Sequence, residues 1–217
     1  MVYHNITQDE LVRIVMEAVM KELNMNDRTV PVGISVRHIH LTREHVDRLF
    51  GYGYKLTPKK ALSQPGQFAC EETLEIVGPK GSIKKVRILG PERKMSQVEL
   101  SKTDARTVGL NPPVRSSGDI KDTPGIKLIG PKGSINLNEG VIIADRHIHM
   151  TPQDAMRFGV TDKDRVSVRI DGVKPGIMED VVIRVSDKYK LDFHVDTDDG
   201  NAFMMEQGQR VTVLEKR

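Results

Sequence analysis

Ile34-Ser-Val-Arg-His-Ile-His-Leu-Thr42 and Ile143-Ala-Asp-Arg-His-Ile-His-Met-Thr151 are two copies of one pattern within the chain. Each is typical of a short strand followed by a helix that begins at the threonine. Because alternate residues of a strand point to opposite faces, the two histidines of each copy share one face. The intervening Ile39 and Ile148 then point into a core. The repeat therefore predicts two similar β-rich halves, each with a pair of imidazoles on a rigid strand.

The rest of the chain after Pro31 is typical of a mainly β protein. Short β-rich runs recur between glycines and prolines, as in barrels and sandwiches. We predict strands over 32–36, 73–77, 84–89, 97–100, 126–129, 141–144, 165–170, 180–185 and 191–195. Two short helices interrupt them, one from Thr42 to near Gly51 and one from Thr151 to near Gly159. A second repeat, Gly-Pro-Lys-Gly after Val77 and after Ile129, is interpreted as one turn used twice.

A separate amphipathic helix is predicted over residues 5–24, ahead of a polar linker. Thr7 and Glu10 have the spacing of a capping box. One face of this helix is apolar and carries Leu11, Ile14, Val15, Ala18, Val19 and Leu23. Two interpretations stay open: a helix docked on its own domain, and a detachable peptide that binds another protein.

Composition excludes several classes of partner. Hydrophobic residues make up 38% and charged residues 29% of the chain, as in an ordinary soluble domain. A net charge of +3 and 4% aromatic residues without Trp indicate neither a nucleic acid nor a membrane partner. No run has the length of a membrane span or of a secretory signal. The single cysteine, Cys70, cannot form an internal disulfide, which favours the cytoplasm.

The two histidine pairs are candidate metal ligands. A catalytic zinc ion usually has three protein ligands and one open position. A third ligand is found in each half when the downstream strands are aligned, because Glu99 then stands opposite His194. The predicted metal sites are His38, His40 and Glu99 in the first half and His147, His149 and His194 in the second. The alternative is that these histidines are structural residues with satisfied hydrogen bonds.

Two further residues bear on the chemistry. Arg93 follows a predicted strand and precedes the strand of Glu99. It belongs either to a solvated turn or to an anion site beside the metals, since arginine binds phosphate through two parallel hydrogen bonds. Cys70 has no neighbouring base in the sequence, so we interpret it as a buried or incidental thiol and not as a nucleophile.

Seven motifs together resemble those of the PduL-type phosphate propanoyltransferases, also called phosphotransacylases. They cover nearly the whole chain after Pro31. The motifs are Pro31-Val-Gly-Ile-Ser-Val-Arg-His-Ile-His-Leu41, Gln64-Pro-Gly-Gln67, Leu89-Gly-Pro91, Ser96-Gln-Val-Glu99, Thr103-Asp-Ala-Arg-Thr107, Thr123-Pro-Gly-Ile126 and Arg146-His-Ile-His-Met150.

The resemblance implies an enzyme that converts acyl-CoA and phosphate reversibly into acyl phosphate and CoA. It implies two zinc ions between two small β-barrel domains, held by the two ligand sets above. Arg93 matches the phosphate-binding arginine of the family. Residues expected to contact CoA are Ile34, Ser35, Val36, Lys60, Arg87, Leu89 and Asn201.

The resemblance also implies a domain organisation and a cellular setting. Residues 1–30 form the N-terminal helix and linker, residues 31–36 with 145–217 one barrel, and residues 37–144 the other. In family members of bacterial microcompartments that degrade propanediol, a comparable helix directs packaging. Expected partners are acyl-CoA, CoA and phosphate, with shell or cargo proteins and further copies of the chain as candidates. The expected location is the cytoplasm, inside a microcompartment.

We hypothesise direct attack of phosphate on the thioester, without an acyl-enzyme. One zinc ion and Arg93 would hold phosphate, and the other, softer toward sulfur, would stabilise the departing thiolate. Two other functions stay open. A metal-dependent hydrolase would use the open zinc position to activate water. A binding module would hold structural zinc in two closed tetrahedral sites.

Overall fold

The computed structural model describes residues 7–22 and 27–214 of the chain. The helices are α1 (Gln8–Glu22), α2 (Arg43–Phe50), α3 (Lys102–Val108), α4 (Pro152–Phe158) and α5 (Thr197–Ala202). The strands are β1 (Thr29–Ser35), β2 (His38–His40), β3 (Pro58–Ala61), β4 (Phe68–Val77), β5 (Ser82–Gly90), β6 (Gln97–Glu99), β7 (Val114–Arg115), β8 (Ile126–Ile129), β9 (Ser134–Leu137), β10 (Val141–Ala144), β11 (His147–Met150), β12 (Arg165–Ile170), β13 (Gly176–Val185), β14 (Asp192–Asp196) and β15 (Arg210–Val213).

Six strands close into a barrel in the order β1-β14-β11-β13-β12-β15. β1 precedes the first histidine pair in sequence, yet it pairs parallel with β14 and antiparallel with β15 of the C-terminal half. A small closed barrel fills its interior with side chains. Here Ile148, Ile183 and Phe193 are fully buried and belong to one apolar core.

The remaining strands form a curled sheet in the order β7-β10-β6-β2-β5-β4-β8-β9, with β3 paired to β4. Its own apolar core includes Ile39, Ile88 and Leu128, all fully buried. The prediction of a mainly β protein with two barrel-like units and short helices is thereby confirmed. The prediction needs one refinement, because only the unit that contains β1 closes through its strand pairing in the described part of the chain.

The helices that follow the histidine strands begin and end as predicted. The side chain of Thr42 accepts from the backbone of His45, and α2 ends at Gly51. Thr151 and Asp154 form a reciprocal capping box at α4. Such caps satisfy backbone N–H groups that have no partner within the helix.

Both Gly-Pro-Lys-Gly segments are hairpin turns, as predicted. One joins β4 to β5 and the other joins β8 to β9. In each, the first glycine donates its N–H to the carbonyl of the last, 2.9 Å for Gly78 to Gly81 and for Gly130 to Gly133. The motif is therefore a shared turn and not a marker of a tandem domain repeat.

Several elements were not predicted. Both short helices predicted after Pro31 form, but α3 and α5 form as well and were missed. Each follows the strand that carries the third candidate ligand and begins at an acidic or hydroxyl cap, Ser101 for α3 and Asp196 for α5. Strands β3, β7, β9 and β15 were also missed. They are two to four residues long, too short for a clear alternating pattern. β3 and β9 pair with the strands next to them in the sequence, whereas β7 and β15 pair with distant strands.

The N-terminal helix is confirmed over Gln8–Glu22, while the predicted ends at residues 5 and 24 lie outside the described residues. Thr7 and Glu10 make the predicted capping box, with Thr7 N 2.9 Å from a Glu10 carboxylate oxygen. The apolar side chains of Leu11, Ile14 and Val15 are each about half exposed. Among the described helices, none has the length and apolar character required to cross a membrane.

Candidate active site

The two histidine strands have equivalent neighbours in the two units. In the curled sheet, β2 pairs antiparallel with β6, which places His38 opposite Glu99. In the barrel, β11 pairs antiparallel with β14, which places His147 opposite His194. Directly opposite residues of an antiparallel pair have neighbouring side chains on the same face. The register therefore joins each histidine pair to its third candidate ligand.

Two three-residue clusters result, and the ligand atoms within each lie within 4.8 Å of one another. In the second cluster, Nε2 of His147 and Nε2 of His149 are 3.1 Å apart. In the first, Glu99 lies 3.4 Å from Nε2 of His38 and 3.9 Å from Nε2 of His40. Ligands of one tetrahedral zinc ion, at bond lengths of about 2.1 Å, lie about 3.4 Å apart. The clusters thus have the donor atoms and spacing of metal sites.

Backbone carbonyls orient the first histidine of each pair. Nδ1 of His38 donates to the carbonyl of Val36 at 2.8 Å, and Nδ1 of His147 donates to that of Asp145 at 2.7 Å. A carbonyl can only accept, so the proton is on Nδ1 in both rings. In the neutral ring, Nε2 then carries a lone pair that faces the cluster. This is the tautomer that a metal ligand requires.

The third candidate ligand of each cluster is held from behind by the residue two positions earlier. Gln97 donates its side-chain amide to Glu99 at 2.6 Å, and Ser117 donates its hydroxyl to the same carboxylate oxygen at 2.8 Å. Asp192 accepts from Nε2 of His194 at 2.8 Å, which leaves Nδ1 of His194 for a metal. An amide donor supports the carboxylate, and a carboxylate acceptor supports the imidazole.

Burial keeps most of the cluster histidines neutral. Burial and the charge of His38 lower the pKa of His40 to about 3. Burial and the charge of His194 lower the pKa of His147 to about 4, and burial with the charge of His147 lowers that of His149 to about 2. Neutral imidazoles at neutral pH are available as ligands without losing a proton.

His38 and Glu99 behave as an ion pair. Burial opposes the charged form of both, but the Glu99 carboxylate raises the pKa of His38, and the His38 charge lowers the pKa of Glu99. A buried carboxylate requires a cationic partner. A divalent cation could replace the His38 proton there, and the nitrogen-rich donor sets suit zinc. The residues present therefore fit the zinc sites that the sequence predicted.

Both clusters line one cavity of about 900 Å³. The same wall contains Arg93, whose guanidinium donates to the Ser117 hydroxyl at 3.1 Å. It also contains Ile34, Ser35, Val36, Lys60, Arg87 and Leu89, all predicted to contact CoA. Asn201, the remaining predicted contact, lies exposed on α5 and is not part of this wall.

Sequence reasoning missed five cavity or supporting residues: Gln97, Ser117, Arg184, Tyr189 and Asp192. Gln97 and Asp192 had a detectable signal, since each stands two residues before a predicted ligand on the same face of its strand. The other three reach the cavity from a loop or from a strand whose sequence marks no site. Their location depends on tertiary contacts.

The arginine that precedes each histidine pair braces its cluster. Arg37 is 2.9 Å from Asp104 in α3, and Arg146 is 3.4 Å from Asp199 in α5. Both helices follow directly on the strand of the third candidate ligand. Each ion pair thereby ties the start of one histidine strand to the end of its neighbour, which explains why the repeat includes an arginine.

Cys70 is fully buried in the core of the curled sheet and does not line the cavity. Burial and the charge of Glu72 raise the pKa of its thiol to about 12. A thiol in that state is a poor nucleophile. The interpretation of Cys70 as a structural residue agrees with this environment.

Comparisons with known proteins complete the description. Residues 31–206 match the family model described as phosphate propanoyltransferase. A protein of that name from Thermotoga maritima is 56% identical over 185 residues, which cover 85% of this chain and 88% of the relative. Those from Salmonella typhimurium (50% identical over 194 residues, 89% and 91% covered) and Enterococcus faecalis (45% over 206, 95% and 98%) are also similar. The chain belongs to the phosphate propanoyltransferase family.

Proposed function

We propose that the chain interconverts a short-chain acyl-CoA plus phosphate with acyl phosphate plus CoA, with propanoyl as the expected acyl group. The similar proteins bear the name of this activity. One observation carries the proposal: two unequal three-residue clusters, one with a carboxylate and one with imidazoles alone, face the same cavity. A two-substrate transfer needs distinct sites for its two polar groups within reach of one carbonyl carbon.

We propose zinc at both clusters, held by His38, His40 and Glu99 and by His147, His149 and His194. When bound, zinc would supply Lewis-acid stabilisation of the oxyanion and of the departing sulfur. The buried, neutral imidazoles and the backbone-oriented rings support this assignment.

The protein's own residues would orient phosphate. Arg93 lies at the cavity wall with its guanidinium held by Ser117, and Ser117 in turn donates to Glu99. A phosphate oxygen attacks the thioester carbonyl carbon, a C–O bond forms and the C–S bond breaks. The proton of monohydrogen phosphate is released to the CoA thiolate, which balances the reaction. Cys70 takes no part, since it is buried away from the cavity.

We propose that CoA enters along the wall formed by Ile34 to Val36, Lys60, Arg87 and Leu89. Lys60 lies on the exposed strand β3, beside Ala69 of β4. Arg87 donates to the backbone carbonyls of Cys70 and Glu71 at 2.8 and 2.7 Å. An exposed lysine can meet the CoA phosphates, while apolar residues cover the pantetheine arm. Asn201 would contact CoA from α5, outside this wall.

A thiol assay tests the function. Propanoyl-CoA is supplied with and without phosphate, and free thiol is followed with acyl phosphate measured in parallel. We expect thiol release that depends on phosphate and equals acyl phosphate formed. Thiol release without phosphate identifies a hydrolase, and the absence of turnover in zinc-loaded protein supports a structural module. Either result contradicts the proposal.

Metal dependence is tested separately. His147→Ala should lose activity together with bound zinc, both measured on the same sample. The matched control is His45→Ala, since His45 lies on α2 outside both clusters. Full activity in metal-free protein contradicts a role for zinc in the reaction.

We propose that α1 docks on a microcompartment shell or cargo protein. Its apolar side chains Leu11, Ile14 and Val15 are about half exposed, which favours the detachable-peptide interpretation. A triple substitution of these three residues by Glu should retain activity and abolish co-sedimentation with shells in the propanediol-degrading host. Retained packaging contradicts the proposal. Further copies of the chain remain the other candidate partner, which analytical ultracentrifugation tests.

We also propose three structural units: residues 1–30, residues 31–36 with 145–217, and residues 37–144. The pairing of β1 with β14 and β15 supports the second unit. Limited proteolysis should release the first unit and leave the other two as a resistant core.

A further inference from the structure

Arg184 lines the cavity that both clusters face, and it belongs to neither cluster. It lies on β13, directly beside His149 of β11. The preceding Ile183 is fully buried in the barrel core. Because strand residues alternate between faces, Arg184 points away from that core and toward the face of the histidine cluster.

Tyr189 holds the Arg184 guanidinium in place. Arg184 donates to the Tyr189 hydroxyl at 3.3 Å, and its guanidinium carbon is 5.8 Å from the ring centroid. The same ring packs edge-on against His149, with centroids 4.3 Å apart. Within residues 7–22 and 27–214, no carboxylate forms an ion pair with Arg184. The guanidinium is therefore oriented, yet no carboxylate of the described segments neutralises its charge.

The arginines of the cavity wall fall into two groups. Arg37 is paired with Asp104, and Arg87 donates to two backbone carbonyls. Arg93 and Arg184 each donate to a hydroxyl group, and their other guanidinium N–H donors have no acceptor among the residues that the structure describes. Burial lowers the pKa of Arg93, Glu99 opposes this effect, and the positive charge of Arg184 lowers it further. Both guanidinium groups also line the same cavity.

Two cations that converge on one partly buried cavity favour an anion between them. Phosphate has three equivalent oxygens and a double negative charge near neutral pH, and planar guanidinium groups bind such oxygens in pairs. Arg93 lies on the side of the Glu99 cluster and Arg184 on the side of His149. A phosphate held by both would have its position and its orientation determined.

We infer that Arg184 is a second phosphate-binding residue, which holds the phosphate of the acyl-transfer reaction opposite Arg93, with Tyr189 as its positioning residue. The inference rests on the proposed function and identifies the anion that this wall of the cavity binds. The alternative anion with the same chemistry is a phosphate group of CoA, and the two arms of the test below distinguish these sources.

The test compares Arg184→Gln with wild type in two titrations, one varying phosphate and one varying propanoyl-CoA. A hydrogen bond to a charged group that is lost should raise the KM for phosphate about 10- to 100-fold. The KM for propanoyl-CoA and the zinc content should stay within about twofold, because all six residues of the two clusters are retained. Tyr189→Phe should raise the phosphate KM less, because the guanidinium remains. The matched control is Arg169→Gln, on the barrel strand β12 and outside the cavity wall.

Three outcomes overturn the inference: an unchanged phosphate KM, a rise confined to propanoyl-CoA, or an equal effect of Arg169→Gln. If Arg184→Gln does not fold, Arg184→Lys provides the test of the inference instead. Lysine keeps the charge without the planar fork, so the phosphate KM should still rise several-fold, and an unchanged value refutes the inference. Calorimetric titration of zinc-loaded protein with inorganic phosphate alone separates this test from the proposed function. Weaker phosphate binding in Arg184→Gln supports the inference even where wild type fails to transfer the acyl group.

Discussion

Replacing Asp192 tests whether its hydrogen bond to the candidate ligand His194 strengthens zinc binding at that cluster. Asp192 is buried, with 4% of its surface exposed, and accepts from Nε2 of His194 at 2.8 Å. We predict that Asp192→Asn weakens zinc binding at the His147 cluster and that Asp192→Ala weakens it more. Asparagine keeps an acceptor oxygen without the charge, whereas alanine leaves the His194 ring without its hydrogen bond.

The magnitude follows from the strength of that hydrogen bond. A buried hydrogen bond to a charged group contributes about 1.5–3 kcal/mol, and a neutral one about half as much. Asp192→Asn should therefore cost about 1 kcal/mol, which is about fivefold in zinc affinity. Asp192→Ala should cost the full amount, about 10- to 100-fold, as is usual when the residue behind a metal ligand is lost.

The assay is competition with a chromophoric chelator in a His38→Ala background, which removes a ligand of the other cluster. The matched control is Asp187→Asn, in the exposed turn between β13 and β14. Equal zinc affinity of Asp192→Ala and the control would refute the reasoning. A loss of affinity at the Glu99 cluster instead, measured in a His147→Ala background, would also contradict it.

Three other changes test separate features. Gly33→Ala should lower zinc affinity as Asp192→Ala does, because a Cβ there would lie 3.0 Å from the Asp192 carboxylate; chelator competition measures it. Cys70→Ala should keep kcat within about twofold in the thiol assay, since direct transfer needs no thiol. Metal-free protein should lose stability as the pH falls from 6.5 to 4. In this range the histidines of the unfolded chain bind protons, whereas buried His147 and His149 stay unprotonated in the folded chain. The loss reaches at most about 1.4 kcal/mol per pH unit for each histidine, measured by urea unfolding.

Each of these has an outcome that contradicts it. Unchanged zinc affinity in Gly33→Ala would mean that a displaced Asp192 carboxylate does not alter zinc binding by His194. Loss of kcat in folded Cys70→Ala would require a covalent step. The sign follows from the direction of the pKa shift: a histidine whose folded pKa lies below its unfolded value has no pH-dependent effect above the unfolded pKa, and it destabilises the fold increasingly as the pH falls toward the folded pKa. Constant stability of metal-free protein from pH 7.5 to 5 would show that the clusters are hydrated.

Local interactions made much of the fold predictable. Thr42 and Thr151 cap their helices through hydrogen bonds to residues three positions later, so the sequence contains all the interacting groups. The alternation His-Ile-His determined which side chains enter the core, and Ile39 and Ile148 are fully buried as predicted. A period of two residues is a property of the strand itself and needs no knowledge of its partners.

Within the chain, the third member of each cluster could be predicted only by aligning the two halves of the internal repeat. Glu99 and His194 occupy equivalent positions because β6 and β14 pair with the histidine strands in the same register. The carboxylate in one cluster and the imidazole in the other were visible as residue types. The support of these residues by Gln97 and Asp192 was not predicted, although the two-residue spacing places each on the same strand face as the ligand it supports.

The sequence by itself determined the short strands after Pro31, the two threonine-capped helices and the pairing of histidines on one face of each strand. All of these depend on residues close together in the chain. The family resemblance implied that residues 31–36 belong to the C-terminal barrel, but no pattern within the chain did. The tertiary structure pairs β1 with β14 and β15, and it alone brings Arg184 and Tyr189 to the same cavity as Arg93. Strand pairing between distant segments is selected by the packing of two whole cores, and no local pattern records it. The arrangement that brings the two clusters together with Arg93 and Arg184 is therefore a property of the folded chain.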